Sequence, residues 1–107
     1  VLVGETASGE AVVVPGANVE HDDWTRGLCA ERVALAHAVV TGVGRFRRAY
    51  LTCTEAPGCS PCGGCRQVLA EHLRDVPIVM DRGNDPPEIT TFAALLPHNF
   101  TGDALRR

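Results

Sequence analysis

A chain of 107 residues, 45% apolar and 21% charged, has the composition of one soluble globular domain with a single core. Its net charge of −3 offers no basic face, which argues against a nucleic-acid partner, and its apolar runs are too short to cross a membrane. Five cysteines, three of them at Cys59, Cys62 and Cys65, do not form the even, widely spaced set of a disulfide framework; they read as thiols kept reduced for a metal, which implies a cytoplasmic protein.

Residues 1–3 form a short apolar run that predicts the end of a buried strand. Residues 4–10, rich in Gly, Ser and Thr, read as a hairpin loop, and the β-branched run 11–14 reads as the partner strand. Pro15-Gly16 stops it. Residues 17–28 show no clean period and are expected to be irregular, a kind of segment that is usually functional in a compact domain. Residues 29–41 predict a helix stopped by Gly42, with Cys29, Val33, Ala36 and Val40 at helical spacing. Residues 42–48 read as a turn carrying Arg45, Arg47 and Arg48, a small solvated basic patch. Residues 49–53 read as a strand and 54–60 as a loop turned at Pro57-Gly58. A second helix is expected over 62–73, with Val68, Leu69 and His72 or Leu73 on one face. A short strand over 76–80 contains Pro77, and residues 81–87 read as polar loop. A short helix is expected over 91–96, stopped by Pro97, and the tail from Thr101 is polar and expected to be mobile. The order predicts one α/β domain over residues 1–107, with a mixed sheet built from a hairpin followed by crossovers.

Two short motifs carry the chemistry. Cys29-Ala30-Glu31, followed by Arg32, opens the first helix. Pro61-Cys62-Gly63-Gly64-Cys65, followed by Arg66 and Gln67, opens the second. Cys62 and Cys65 are three residues apart, so both sulfurs can meet one ion, and a helix N-terminus favours the ionised thiol. Three thiolates hold a tetrahedral metal and leave its fourth position open, as in a catalytic zinc site. Glu31 is placed to handle a proton rather than to bind the metal. Other readings of these cysteines explain less. A redox Cys-x-x-Cys accounts for neither Cys29 nor Glu31. A closed zinc ribbon needs a fourth ligand, and only Cys53 and Cys59 are spare. A ferredoxin-type run lacks its fourth cysteine, with Leu69 in that place. Glu31 could otherwise serve only to complement the helix dipole.

The pair Cys29-x-Glu31 and Pro61-Cys62-x-x-Cys65 resembles the signature of the zinc deaminases, and cysteine as the first ligand is similar to the small cytidine deaminases. The resemblance extends through Asn18-Val19-Glu20, residues 60–69, and Leu95-Leu96-Pro97 followed by Phe100. It implies a three-layer α/β/α fold with a mixed five-stranded sheet, one zinc per chain on Cys29, Cys62 and Cys65, and Glu31 as the catalytic proton shuttle. Glu31 would take a proton from the attacking water, pass it to pyrimidine N3, and help protonate the amine leaving C4. Arg32 would donate to the thiolate sulfurs and offset their charge, a role Arg66 could share or leave for solvent. Asn18 and Glu20 would bond the ribose hydroxyls and the Ala30 backbone the base edge; alone, the Asn18–Glu20 stretch would read as ordinary polar loop. Phe100 would reach a neighbouring subunit's site, or else pack as a plain core or interface residue. Trp24 stands where relatives usually carry tyrosine. The four histidines have no ligand spacing and read as structural.

The implied activity is hydrolytic deamination of cytidine and deoxycytidine in pyrimidine salvage by a cytoplasmic homotetramer, with a small-molecule nucleoside as substrate and no nucleic-acid or membrane partner. Within the fold, the rival is an aminonucleoside deaminase of the blasticidin type, against which Glu20 argues. A polynucleotide deaminase fits less well, because the charge is negative and the first ligand is cysteine. Outside the fold class, the rival is a non-catalytic zinc or iron–sulfur module. Relatives begin with a helix and a loop whose phenylalanine packs on the pyrimidine, and the sequence from Val1 is expected to lack that segment.

Overall fold

The computed structural model describes residues 1–54 and 58–106, so Pro57 of the expected turn lies outside the described residues. Five strands form one sheet in the order β2-β1-β3-β4-β5: β1 (Leu2–Thr6), β2 (Ala11–Val14), β3 (Val43–Leu51), β4 (Pro77–Arg82) and β5 (Asp85–Thr91). The helices are α1 (Ala30–Val40), α2 (Gly63–Leu73) and the single turn α3 (Phe92–Leu95), with 3₁₀ turns at Trp24–Arg26 and Gly102–Leu105.

The sheet is mixed, as expected. β1 pairs antiparallel with both β2 and β3, β3 pairs parallel with β4, and β4 pairs antiparallel with β5. Since β2 and β3 are both antiparallel to β1, they run parallel to each other. The β2–α1–β3 and β3–α2–β4 connections therefore cross the sheet in the same sense. Right-handed crossovers then lay α1 and α2 on the same face, with both helix N-termini at one edge of the sheet. That edge holds the cysteines.

One core fills the space between helices and sheet. α2 contributes Cys65, Leu69 and Leu73, a stripe at four-residue spacing; β4 contributes Ile78 and Met80, and α3 contributes Phe92. α1 buries Ala34, Leu35 and Ala38. The expected face through Ala36 and Val40 points outward instead, and Val40 is 85% exposed. On α2, Val68 and His72 likewise turn to solvent while Leu69 and Leu73 are buried. The short alanines of α1 suit the close approach of its first turn to the chain at Gly16, where an added Cβ would stand 2.6 Å from Ala34 N.

The opposite face of the sheet carries Val3, Val13 and Arg48 in one register row and Tyr50, Val79 and Ile89 in the next. Val13 and Ile89 stay largely exposed there, and the described helices form one layer, on the other face.

Two strands differ from the sequence expectation. The turn expected over 42–48 is the first part of β3. Its register against β1 shifts between Val3/Gly4 and Glu5/Thr6, so the inward residues Val43, Phe46, Ala49 and Leu51 are unevenly spaced. Bulges of this kind erase the period of two by which a strand is read. Arg47 falls at one such shift and pairs with Glu5 at 2.8 Å. The polar loop expected over 81–87 runs instead into β5. Its Pro86 and Pro87 are tolerated because β5 is an edge strand, bonded on one side only. The tail forms the 3₁₀ turn at Gly102–Leu105, with Arg106 pairing with Asp103. Among the described residues, no helix is long and apolar enough to cross a membrane.

Candidate metal centre and active site

Cys29 and Cys62 are the N-cap residues of α1 and α2, with extended backbone. Cys65 is the third residue of α2, on its buried stripe. The crossover geometry brings these two helix starts together, and the three sulfurs lie within 4.8 Å of one another. A tetrahedral zinc with Zn–S bonds of about 2.3 Å spaces its thiolates by about 3.8 Å, so the donor set fits zinc in number, chemistry and spacing. Among the described residues, no other His, Cys, Asp or Glu joins the group. Cys53 and Cys59 engage each other instead, and burial together with the bond to Cys53 pushes the Cys59 thiol up to about 12.

The local field differs between the sulfurs. Cys62 Sγ accepts from the Cys65 backbone N–H at 3.4 Å, capping α2, and that N–H is the main cause holding the Cys62 thiol below its ordinary pKa. Burial is the main cause raising that of Cys65, with bonds to Cys62 and Cys29 adding to it. Arg32 Nη2 lies 3.7 Å from Cys29 Sγ. Its interactions with Cys29 and then Cys65 raise the guanidinium's pKa, so the cation persists beside the sulfurs. Arg66 does not share that position. Its Nε donates to Pro61 O at 2.8 Å and its Nη1 to Leu95 O at 2.9 Å.

Glu31 is half-buried in the first turn of α1, close enough to Cys65 for its charge to act on that thiol. It lines a small apolar recess with Leu69, Ile78 and Phe92. Beside it, a cavity of about 310 Å³ is bounded by Gly16, Ala30, Leu51, Thr52, Val79 and Asp81. Asn18 Oδ1 accepts from the Ala30 backbone N–H at 2.9 Å, so it fastens the start of α1 and leaves its amide N–H₂ to face outward. Val19 pairs with Leu28 through two backbone bonds. That bridge keeps the backbone extended, and in an extended segment Asn18 and Glu20 project to the same side. The bridge closes a loop containing the Trp24–Arg26 turn, which is capped by Asp23; this turn lies inside the stretch expected to be irregular. Trp24 is 82% exposed. Phe100 lies away from this group. Its carbonyl accepts from Gln67 Nε2 at 2.8 Å, and its ring, over half exposed, borders a separate cavity with Glu71 and Arg74.

Sequence reasoning missed Thr52 and Asp81, which meet at the cavity wall through a 2.7 Å hydrogen bond. It also missed Arg82, which reaches back to the loop before Cys62. Residues 81–87 read as loop in the sequence, and nothing local marks a side chain that acts across the sheet edge.

A three-sulfur centre at two helix starts, with a carboxylate two residues after the first sulfur and a cavity alongside, defines a zinc-binding hydrolytic enzyme on an α/β fold. The chain belongs to the cytidine and deoxycytidylate deaminase family: residues 2–80 match that family's zinc-binding region. It is 38% identical to a cytidine deaminase of Sporosarcina psychrophila over 98 residues, covering 90% of this chain and 71% of that protein. It is also 38% identical to a cytidine deaminase of Mycobacterium tuberculosis over 102 residues, covering 89% and 68%. In three dimensions it is similar to the crystal structure of cytidine deaminase from Burkholderia pseudomallei, with a TM-score of 0.76 at 29% identity over 92% of this chain and 79% of that one. The cytidine deaminase structure from Mycobacterium leprae matches with a TM-score of 0.64 at 31% identity, covering 91% and 76%.

Proposed function

We propose that this protein is a zinc-dependent cytidine deaminase that hydrolyses cytidine and deoxycytidine to uridine and deoxyuridine with release of ammonia. The observation that carries this reading is the convergence of Cys29, Cys62 and Cys65, with Glu31 near enough for its charge to act on Cys65. Zinc, held by the three thiolates, supplies the acidity that readies a water molecule for attack at neutral pH. Glu31 takes the proton from that water and gives it to N3 of the pyrimidine. This makes C4 more electrophilic, and the water oxygen bonds to C4. The carboxylate then takes the remaining proton from the new C4 hydroxyl and delivers it to the exocyclic amine, the C4–N bond breaks as C4=O forms, and ammonia leaves. Arg32 offsets the thiolate charge, which otherwise weakens the metal as a Lewis acid.

The substrate side follows from the extended 18–20 segment. Glu20 offers acceptors and Asn18 a free amide donor to a sugar hydroxyl, while the cavity bounded by Ala30, Leu51 and Val79 takes the base. Because its N–H is already bonded to Asn18, Ala30 would meet the base through its side chain and remaining backbone. Glu20 repels a phosphate on the sugar, which selects nucleosides over nucleotides.

Residues 1–107 act in this reading as one deaminase domain, in the cytoplasm and in pyrimidine salvage. It assembles as a homotetramer in which Phe100 borders a neighbour's site. Supporting the assembly are the exposed Val13, Ile89, Val40 and Phe100 side chains on so small a chain. Ammonia release from cytidine, deoxycytidine, cytosine, CMP and blasticidin S tests the substrate assignment. Cytidine and deoxycytidine should be turned over best, and faster turnover of CMP or blasticidin S would overturn it.

A further inference from the structure

Cys62 follows a stretch, residues 58–61, that has no regular secondary structure. Its polar groups still need partners, and two arginines from different elements supply them. From α2, Arg66 donates to Pro61 O and Leu95 O. From β4, Arg82 Nη1 donates to Cys59 O at 2.8 Å and Nη2 to Ser60 Oγ at 3.2 Å. Arg82 is itself braced by Glu88 on β5, with Nη2 2.7 Å from the carboxylate. Gly58 lies so near β4 that a Cβ there would stand 3.1 Å from Arg82 Cα. The three residues before Cys62 are thus each held by a guanidinium.

We propose that Arg66 and Arg82 are positioning residues that preform the Cys62 arm of the metal centre and so set how long zinc is held. The inference rests on the zinc reading above. A guanidinium fork can serve two acceptors at once, which the compact ammonium of lysine does less well. A thiolate on a loop anchored this way returns to the metal after a transient opening, whereas one on an unanchored loop drifts off. Partners of this outer kind typically change metal affinity about 10–100-fold.

The test is the rate at which zinc-loaded protein gives up its metal to a chromophoric chelator. Arg66→Met and Arg82→Met should each release zinc about 10–100-fold faster than the parent, with KM for cytidine nearly unchanged when zinc is in excess. Arg66→Lys, able to keep one carbonyl, should fall between. Arg47→Met, which loses the Glu5 pair elsewhere on the sheet, should release zinc at the parental rate and so controls for general loosening. Should Arg82→Met fail to fold, Glu88→Gln loosens Arg82 without removing its donors and should still accelerate release. Parental release rates in the Arg66 and Arg82 variants, or equal acceleration in Arg47→Met, would overturn the proposal. A parent protein that binds no zinc would overturn the metal reading itself, a distinct result.

Discussion

Replacing Gly16 with alanine tests whether the start of α1 is positioned by close backbone contact. A Cβ at Gly16 would stand 2.7 Å from Ala34 Cβ and 2.6 Å from Ala34 N, and nearer still to the Ala30 carbonyl oxygen. Ordinary carbon–carbon contact is about 3.5–4.0 Å, so helix and strand end must separate by roughly 1 Å. Neither neighbour is a flexible side-chain tip that could swing away. Overpacking of this kind costs about 1–3 kcal/mol, and at about 4–8 °C per kcal/mol for a domain near this size the melting temperature should fall by ~4–24 °C. The displaced turn carries Cys29, Ala30 and Glu31, and a misplacement of ~1 Å at a reacting group can cost ~10²-fold in rate. Calorimetry and steady-state deamination of cytidine at saturating zinc read the two effects separately. Gly44→Ala is the control: its Cβ meets nothing within 4 Å, so stability should change by no more than about 0.5 kcal/mol. A Gly16→Ala protein with parental melting temperature and kcat would refute the contact as a determinant of the site.

Glu31→Gln should keep zinc, checked by metal analysis, yet lose activity by at least ~10²–10⁴-fold, since proton transfer by a positioned side chain is worth that much and the proposed cycle uses Glu31 more than once. Glu20→Gln should weaken nucleoside use through a lost charge-assisted bond of about 1.5–3 kcal/mol at unchanged zinc content; unaltered cytidine kinetics would remove Glu20 from the sugar site. The Thr52 hydroxyl, with the Gly83 N–H, holds the Asp81 carboxyl below its ordinary 3.8. A depressed acid stabilises the fold above its unfolded pKa, and that contribution is lost as pH falls through the folded value. Thr52→Val should therefore lower the melting temperature near neutral pH, with a gap to the parent that closes as pH falls below 3.8; a constant gap across pH would contradict this.

The metal centre was largely legible in the sequence because its ligands come in short local spacings, Cys-x-Glu and Cys-x-x-Cys, each tied to a helix start. The helices were legible too, yet the buried face of α1 was not. An alanine-rich helix carries little contrast between its sides, so Ala34, Leu35 and Ala38 could not be told from Ala36 and Val40 by type alone. β3 was half lost because its two register shifts break the alternation, and β5 because Pro86 and Pro87 look like loop until the strand is known to lie at an edge. The long-range bonds of Arg66 and Arg82, and that of Thr52 to Asp81, depend on which elements become neighbours. Asn18 shows the same limit: its place in the motif was legible, while its bond to Ala30 N–H needs a contact across twelve residues.

The central place of β3 governs the order in which the molecule can assemble. This strand bonds to β1 on one side and β4 on the other, and it lies between α1 and α2 in the chain. Cys29 and Cys62 are separated by the whole of α1 and β3, so their helix starts meet only after two crossovers have closed. Pairings of that sequence separation carry a loop-closure cost before any contact repays it, and they fold slowly for that reason. The thiols therefore become one chelating group late, after the sheet has set its register. Zinc added at the start of refolding should leave the rate of sheet formation unchanged and act afterwards, by slowing the reverse step. The metal is then a latch on a nearly finished fold rather than a seed for it.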